Sequence, residues 1–227
     1  MPEFTRYAVY YAPDPGPFAA FCASWLGWDA TAGTQVPHPD LPGLPLPVEE
    51  ITRTPRKYGF HGTLKPPFVP TQGRAALEAD LAALAARLAP VKTGPLELER
   101  IGSFLALTPT GDTSALAETA AEIVRSLDAH RTPATEAELA RRRKARLSPA
   151  QEANLLQWGY PYVMEAFQFH LTLSGRLPHG MAEEVARVLE PQLAPLLPQP
   201  FALTSLCLFG EALDGRFHLL HRYRLTG

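Results

Sequence analysis

The chain has 227 residues, of which 46% are hydrophobic and 19% charged, and a formal net charge of −2. That composition fits a globular protein with a sizeable core, and it lacks the broad basic field of a protein that binds long nucleic acid or an anionic membrane. No apolar run approaches the roughly 20 residues that cross a bilayer, so no membrane association is expected. Glu3 and Arg6 precede only a short apolar run that breaks at Pro13, unlike a signal peptide. Cys22 and Cys207 stand apart from any CxxC or Cys/His cluster, which argues against a disulfide framework and a structural zinc site and for a reducing cytoplasm.

In chain order, Thr5 to Ala12 is rich in aromatic and β-branched residues and ends at Pro13-Asp14-Pro15-Gly16, so it reads as a strand and turn. Phe18 to Leu26 has helical spacing. Residues 33–55 carry Pro37, Pro39, Pro42, Pro45, Pro47 and Pro55, a density that suits a connecting loop, with a mobile lid as the alternative. A strand follows at Tyr58 to Phe68, where Pro66-Pro67 should limit pairing. Thr71 is the expected cap of a helix over Arg74 to Ala89, with a stripe at Leu77, Leu81, Leu84 and Leu88. Leu96 to Ile101 and Phe104 to Thr108 read as a hairpin, and Thr113 as the cap of a helix reaching about His130. Capping boxes begin at Thr135 and Ser148, flanking the basic run Arg141 to Arg146. A second strand at Phe167 to Arg176, a helix over His179 to Leu197 and a hairpin from Phe201 to Arg224 complete the reading.

The order strand, helix, hairpin thus occurs twice, over about 58–108 and 167–225. Each repeat opens on the same pattern: Phe60-His61-Gly62-Thr63-Leu64 and Phe169-His170-Leu171-Thr172-Leu173. In an extended strand side chains alternate faces, so each His shares a face with the Thr two residues on. Two such stations suggest a single α+β domain over 1–227, bilobal and duplicated. Each lobe would be an antiparallel sheet backed by helices, with the active-site cleft between the lobes. Facing imidazoles suit in-line displacement at phosphorus, one taking a proton from the nucleophile and the other giving one to the leaving oxygen. Thr63 and Thr172 would donate to the non-bridging oxygens. The scheme needs no metal or other cofactor.

The paired motifs resemble those of the 2H phosphoesterase superfamily. The stretches Tyr58 to Phe68 and Gly159-Tyr160-Pro161-Tyr162 are similar to an uncharacterised bacterial branch often encoded with phosphonate-utilisation genes. The resemblance implies the bilobal fold, metal-independent catalysis and His61, His170, Thr63 and Thr172 as functional residues. Gly62 departs from the pattern, which usually has a hydrophobe there, and is expected to affect packing more than chemistry. The implied activity is hydrolysis of a cyclic or activated phosphodiester, with a small sugar phosphate as substrate. The alternatives are a nucleotide or RNA end carrying a 2′,3′-cyclic phosphate, and a phosphometabolite-binding protein without turnover. No obligate protein partner is inferred.

Lys65, two residues beyond Thr63, is a further phosphate-binding candidate, against the alternative of a solvated strand-end lysine. Tyr58, Tyr162, Arg176, Arg142 and Arg143 are candidate substrate-binding residues, the arginines of the basic run as a lid over a multiply charged ligand. Core packing explains the tyrosines nearly as well. The remaining histidines, His38, His130, His179, His218 and His221, read as surface or helix-end residues.

Overall fold

The computed structural model describes residues 3–227. The aromatic run at the start of the chain forms β1 (Phe4–Tyr11), and Pro17 opens α1 (Pro17–Leu26) at a position where its missing N–H costs nothing. The proline-rich stretch holds only short pieces, β2 (Trp28–Asp29), β3 (Thr34–Gln35) and the single turn α2 (Val48–Ile51). Arg56 donates to the carbonyls of Leu26 (3.1 Å) and Glu49 (2.6 Å), tying the end of the stretch to α1 and α2. Next come β4 (Gly62–Phe68) and α3 (Arg74–Arg87), whose Leu77, Leu81 and Leu84 are fully buried, each burial contributing roughly 2 kcal/mol. β5 (Val91–Lys92), the hairpin of β6 (Leu96–Ile101) and β7 (Phe104–Pro109), and α4 (Ser114–Ser126) follow. α5 (Glu136–Arg143) and α6 (Pro149–Trp158) each begin on a complete capping box, at Thr135 and Ser148. The chain then runs through β8 (Leu171–Thr172), α7 (Met181–Leu193), β9 (Ala202–Leu203), β10 (Ser205–Ala212) and β11 (Phe217–Arg224).

Seven strands form one antiparallel sheet in the order β11, β10, β1, β4, β8, β7, β6. Its two halves join at a single pair, Gly62 opposite Leu171. The hairpins are exchanged between the halves: β6 and β7 of the first repeat lie beside β8, while β10 and β11 of the second lie on the β1–β4 side. The helices follow suit, α3 packing on β10 and β11 and α7 on β6 and β7. The two-lobed, duplicated α+β arrangement is therefore present, with each lobe assembled from both repeats. Alternation along β1 sends Tyr7, Val9 and Tyr11 into the large helix-covered core and Ala8, Tyr10 and Ala12 into a smaller cluster on the opposite face.

Several local expectations are corrected. β4 runs through Pro66-Pro67 to Phe68, because the two prolines fall in an irregularity of the pairing with β1 and β8 opposes β4 only at Gly62. The second histidine strand is regular only at Leu171–Thr172, since the amides of Leu173 (2.9 Å) and Ser174 (3.2 Å) both reach the Leu105 carbonyl and end the ladder. Thr71 donates to the Ala129 carbonyl (2.9 Å), leaving α3 to begin at Gly73 without a side-chain cap. Asp112, not Thr113, accepts the Ser114 amide, at 2.9 Å. His130 ends a turn as expected but is buried, its Nε2 2.7 Å from Asp80. No described helix is long and apolar enough to cross a membrane.

Candidate active site at the sheet joint

The single pair that joins the halves also assembles the site. Continuing the antiparallel register one residue either way from Gly62 and Leu171 sets His61 opposite Thr172, and Thr63 opposite His170. Directly opposed residues have Cβ atoms roughly 5 Å apart, so each imidazole neighbours the other motif's hydroxyl on one face. Gly62 is required by this closeness. A Cβ there would lie 2.4 Å from Phe169 Cζ and 3.0 Å from Leu171 Cδ2, so the departure from the motif is a packing demand, as expected.

Both histidines are held alike. His61 Nδ1 lies 2.9 Å from the Gly59 carbonyl and His170 Nδ1 2.9 Å from the Gln168 carbonyl. A carbonyl only accepts, so Nδ1 carries the hydrogen in each ring and Nε2 is left for chemistry. Gly59 makes its turn with φ 69°, and a side chain there would strike Ala30 Cβ at 2.6 Å. Tyr10 packs on His61 with ring centroids 4.0 Å apart, and Tyr58 at 5.6 Å. Phe104 sits 5.8 Å from the His170 ring. Burial, followed by the charge of His170, lowers the His61 pKa from 6.5 to about 4, against the opposing effect of its carbonyl bond. His61 is therefore neutral at pH 7, with a free lone pair on Nε2.

Two adjoining basins lie over this face. One of about 540 Å³ is lined by His61, Thr63, Thr172, Tyr10, Tyr58 and Tyr160, with Arg6, Lys57, Arg141, Arg142 and Arg176 around them. The other, of about 530 Å³, is lined by His170, Tyr162 and Gln168 and shares Thr63, Phe104, Tyr160 and Arg176 with the first. Neither is lined by an aspartate or glutamate. Arg6 reaches the cleft already paired, donating from Nη2 to Glu211 Oε1 at 2.7 Å. Among the described residues, no three His, Cys, Asp or Glu side chains converge to hold a metal ion.

Most sequence candidates thus converge on one cleft: His61, His170, Thr63, Thr172, Tyr58, Tyr162, Arg142 and Arg176. Two do not. Lys65 was expected beside Thr63, but pairing of Tyr10 with Thr63 and of adjacent Val9 with Lys65 marks a bulge at Leu64 that turns Lys65 to the helix-covered face. There it is 2% exposed, donating to the Val124 carbonyl at 3.2 Å and lying 3.7 Å from Asp128. Arg143 points away from the cleft and donates to Glu152 at 2.7 Å. The sequence reading missed Arg6, Tyr10 and Tyr160. Period-two alternation already put Arg6, Ala8 and Tyr10 on one face of β1, a usable signal once β1 is known to flank the first motif.

An antiparallel two-lobed sheet with an HxT station on either side of its joint is the layout that resemblance to the 2H phosphoesterase superfamily implies. A family model described as "Protein of unknown function (DUF1045)" matches residues 63–218, and the chain belongs to this family. One curated relative is the ribose 1,5-bisphosphate phosphokinase PhnN of Janthinobacterium sp. (strain Marseille), 34% identical over an alignment of 222 residues, gaps included, that covers 94% of this chain and 49% of that protein. The protein of the same name in Laribacter hongkongensis is 35% identical over 175 residues, 76% of this chain and 40% of that one. The chain spans about half the length of the curated relatives it matches. Among solved structures, TT0787 of Thermus thermophilus aligns over 98% of both chains at 15% identity, with a TM-score of 0.48. Apo E. coli LigT aligns over 99% of both at 15% identity, with a TM-score of 0.43.

Proposed function

We propose that the chain hydrolyses a cyclic phosphodiester of a small sugar phosphate, using the two histidines and no metal. One observation carries the reading: two imidazoles, each fixed through Nδ1 to a carbonyl, flank the sheet joint with the threonine hydroxyls of the opposite motif beside them. His61, neutral at rest, takes the proton of an attacking water through Nε2 as the water oxygen bonds to phosphorus. The ring P–O bond breaks on the far side, and His170 in its protonated form gives its Nε2 proton to the departing sugar oxygen. Thr63 and Thr172 donate to the non-bridging oxygens, and the anionic phosphate raises the basicity of His61 once bound. The product is a phosphomonoester, and the two imidazoles have exchanged protonation states.

The relatives' name supports a sugar phosphate as substrate. Opening a cyclic ribose phosphate yields a ribose phosphomonoester, the class of compound that "ribose 1,5-bisphosphate phosphokinase" specifies as substrate. That kinase activity is the property of proteins of which this chain spans about half.

The test is turnover of a panel of ribose and nucleoside cyclic phosphates in excess chelator, followed by phosphorus NMR, for the wild type and for His61→Ala and His170→Ala. Each substitution should lower kcat by about 10²–10⁴-fold with the fold intact. Near-normal activity in both variants, or loss of wild-type activity on chelation, overturns the reading. Tight phosphate binding with no turnover of any diester makes the chain a binding protein.

A further inference from the structure

Arg142 is one of the cleft cations that the histidine chemistry leaves unused. It is half-buried at the last turn of α5, its guanidinium 4.7 Å over the Tyr160 ring, and among the described residues its side chain makes no hydrogen bond or ion pair. Each neighbour that could neutralise it is engaged. Glu138, one turn back, accepts the Thr135 amide at 3.0 Å in the capping box, and Glu152 is taken by Arg143. Glu211 is held by Arg6. Desolvation is the largest influence on the Arg142 guanidinium and pushes its pKa below the ordinary value. A partly desolvated cation with no hydrogen-bonded counter-charge, lining a cavity that holds Arg141, Lys57 and Arg176 and no carboxylate, is built to receive an anion.

The reacting diester does not account for this excess. It carries one negative charge, already served by two hydroxyls and an imidazolium. A phosphomonoester is close to dianionic at pH 7 and matches the planar fork of a guanidinium preset by stacking on an aromatic ring. We propose that Arg142, stacked on Tyr160, binds a phosphomonoester on the same molecule whose cyclic diester meets His61 and His170. This rests on the diesterase reading and narrows the substrate class to cyclic sugar phosphates that bear a terminal phosphate. The basin of about 540 Å³ lies within the range of sites that enclose a small ligand.

The experiment compares substrate pairs that differ only in that terminal group: ribose 1,2-cyclic phosphate with and without a 5-phosphate, and adenosine 2′,3′-cyclic phosphate with and without a 5′-phosphate. In the wild type the phosphorylated member of a pair should have the higher kcat/KM. Arg142→Gln should shrink that ratio roughly 10- to 100-fold, chiefly through KM, as expected for one charge-assisted contact. Arg142→Lys should keep part of the preference, and Arg143→Gln should keep all of it. Calorimetric titration of ribose 1,5-bisphosphate and ribose 1-phosphate into His61→Ala, with and without Arg142→Gln, reads the same preference without turnover. Equal kcat/KM within both pairs, or a ratio unmoved by Arg142→Gln and Arg142→Lys, overturns the proposal while leaving the diesterase reading intact. Arg142-dependent preference for the bisphosphate in a protein that opens no cyclic diester supports the receptor and overturns the diesterase.

Discussion

Lys65→Met separates two accounts of one lysine. If Lys65 touched the reacting phosphate, its removal would raise KM; the bulge at Leu64 instead buries it against α4, facing Val124 and Asp128. Burial lowers its pKa from 10.5 to about 8 despite the opposing pull of Asp128. At about 1.36 kcal/mol per pKa unit, keeping the ammonium charged at pH 7 costs the fold about 3 kcal/mol. The substitution forfeits the bond to the Val124 carbonyl, about 1 kcal/mol. Asp128 is not orphaned, because Arg131 still donates to it from Nε at 2.8 Å and Nη2 at 3.2 Å. Lys65→Met should therefore stabilise the protein by about 1–3 kcal/mol at pH 7 and leave kcat/KM within about twofold. The sign with pH follows from the depressed value. Between pH 8 and 10.5 the unfolded lysine holds a proton that the folded one has lost, so wild-type stability gains with rising pH and the variant's advantage shrinks. Urea titrations at pH 7 and 10, with steady-state kinetics on any diester turned over, read both effects. A variant less stable than wild type at pH 7, or a tenfold rise in KM with the fold intact, refutes the reasoning.

Two further outcomes are expected. If His61 is the base, protonating it removes the proton acceptor, so the acid limb of kcat/KM should fall near pH 4 and not near the ordinary 6.5; a pH–rate profile with its limb at 6.5 excludes that role. Gly62→Ala should destabilise by about 1–3 kcal/mol in denaturant melts, since its methyl meets the Phe169 ring at 2.4 Å on the joining strand. Phe169→Leu in the same background should recover part of the loss, and strictly additive effects would show that the ring is not the obstacle.

Much of the candidate site was legible in the sequence because it depends on local rules. Period-two alternation put each His and Thr on one face, the element order exposed the duplication, and the capping boxes at Thr135 and Ser148 located the helix that carries the arginines. What escaped depends on partners distant in the chain. The bulge that removes Lys65 is a property of the register between β4 and β1, and no local pattern at Leu64 announces it. Arg6 and Tyr10 join the cleft because β1 lies between β4 and β10. Arg142 and Arg143 look alike in a basic run, and only the helix's orientation decides which faces Tyr160 and which faces Glu152.

The hairpin exchange bears on how the protein is made. As the chain emerges from the ribosome, β1, β4 and α3 appear long before β10 and β11, the strands on which α3 packs and one of which borders β1. β1 and α3 would therefore wait, with apolar side chains uncovered, for partners that follow every other strand in chain order. Neither repeat can be expressed alone as a working half, because each would lack the hairpin that completes its lobe. Separately produced fragments cut between α6 and β8 should regain structure only when mixed, which makes the two-histidine face a reporter that both halves are present.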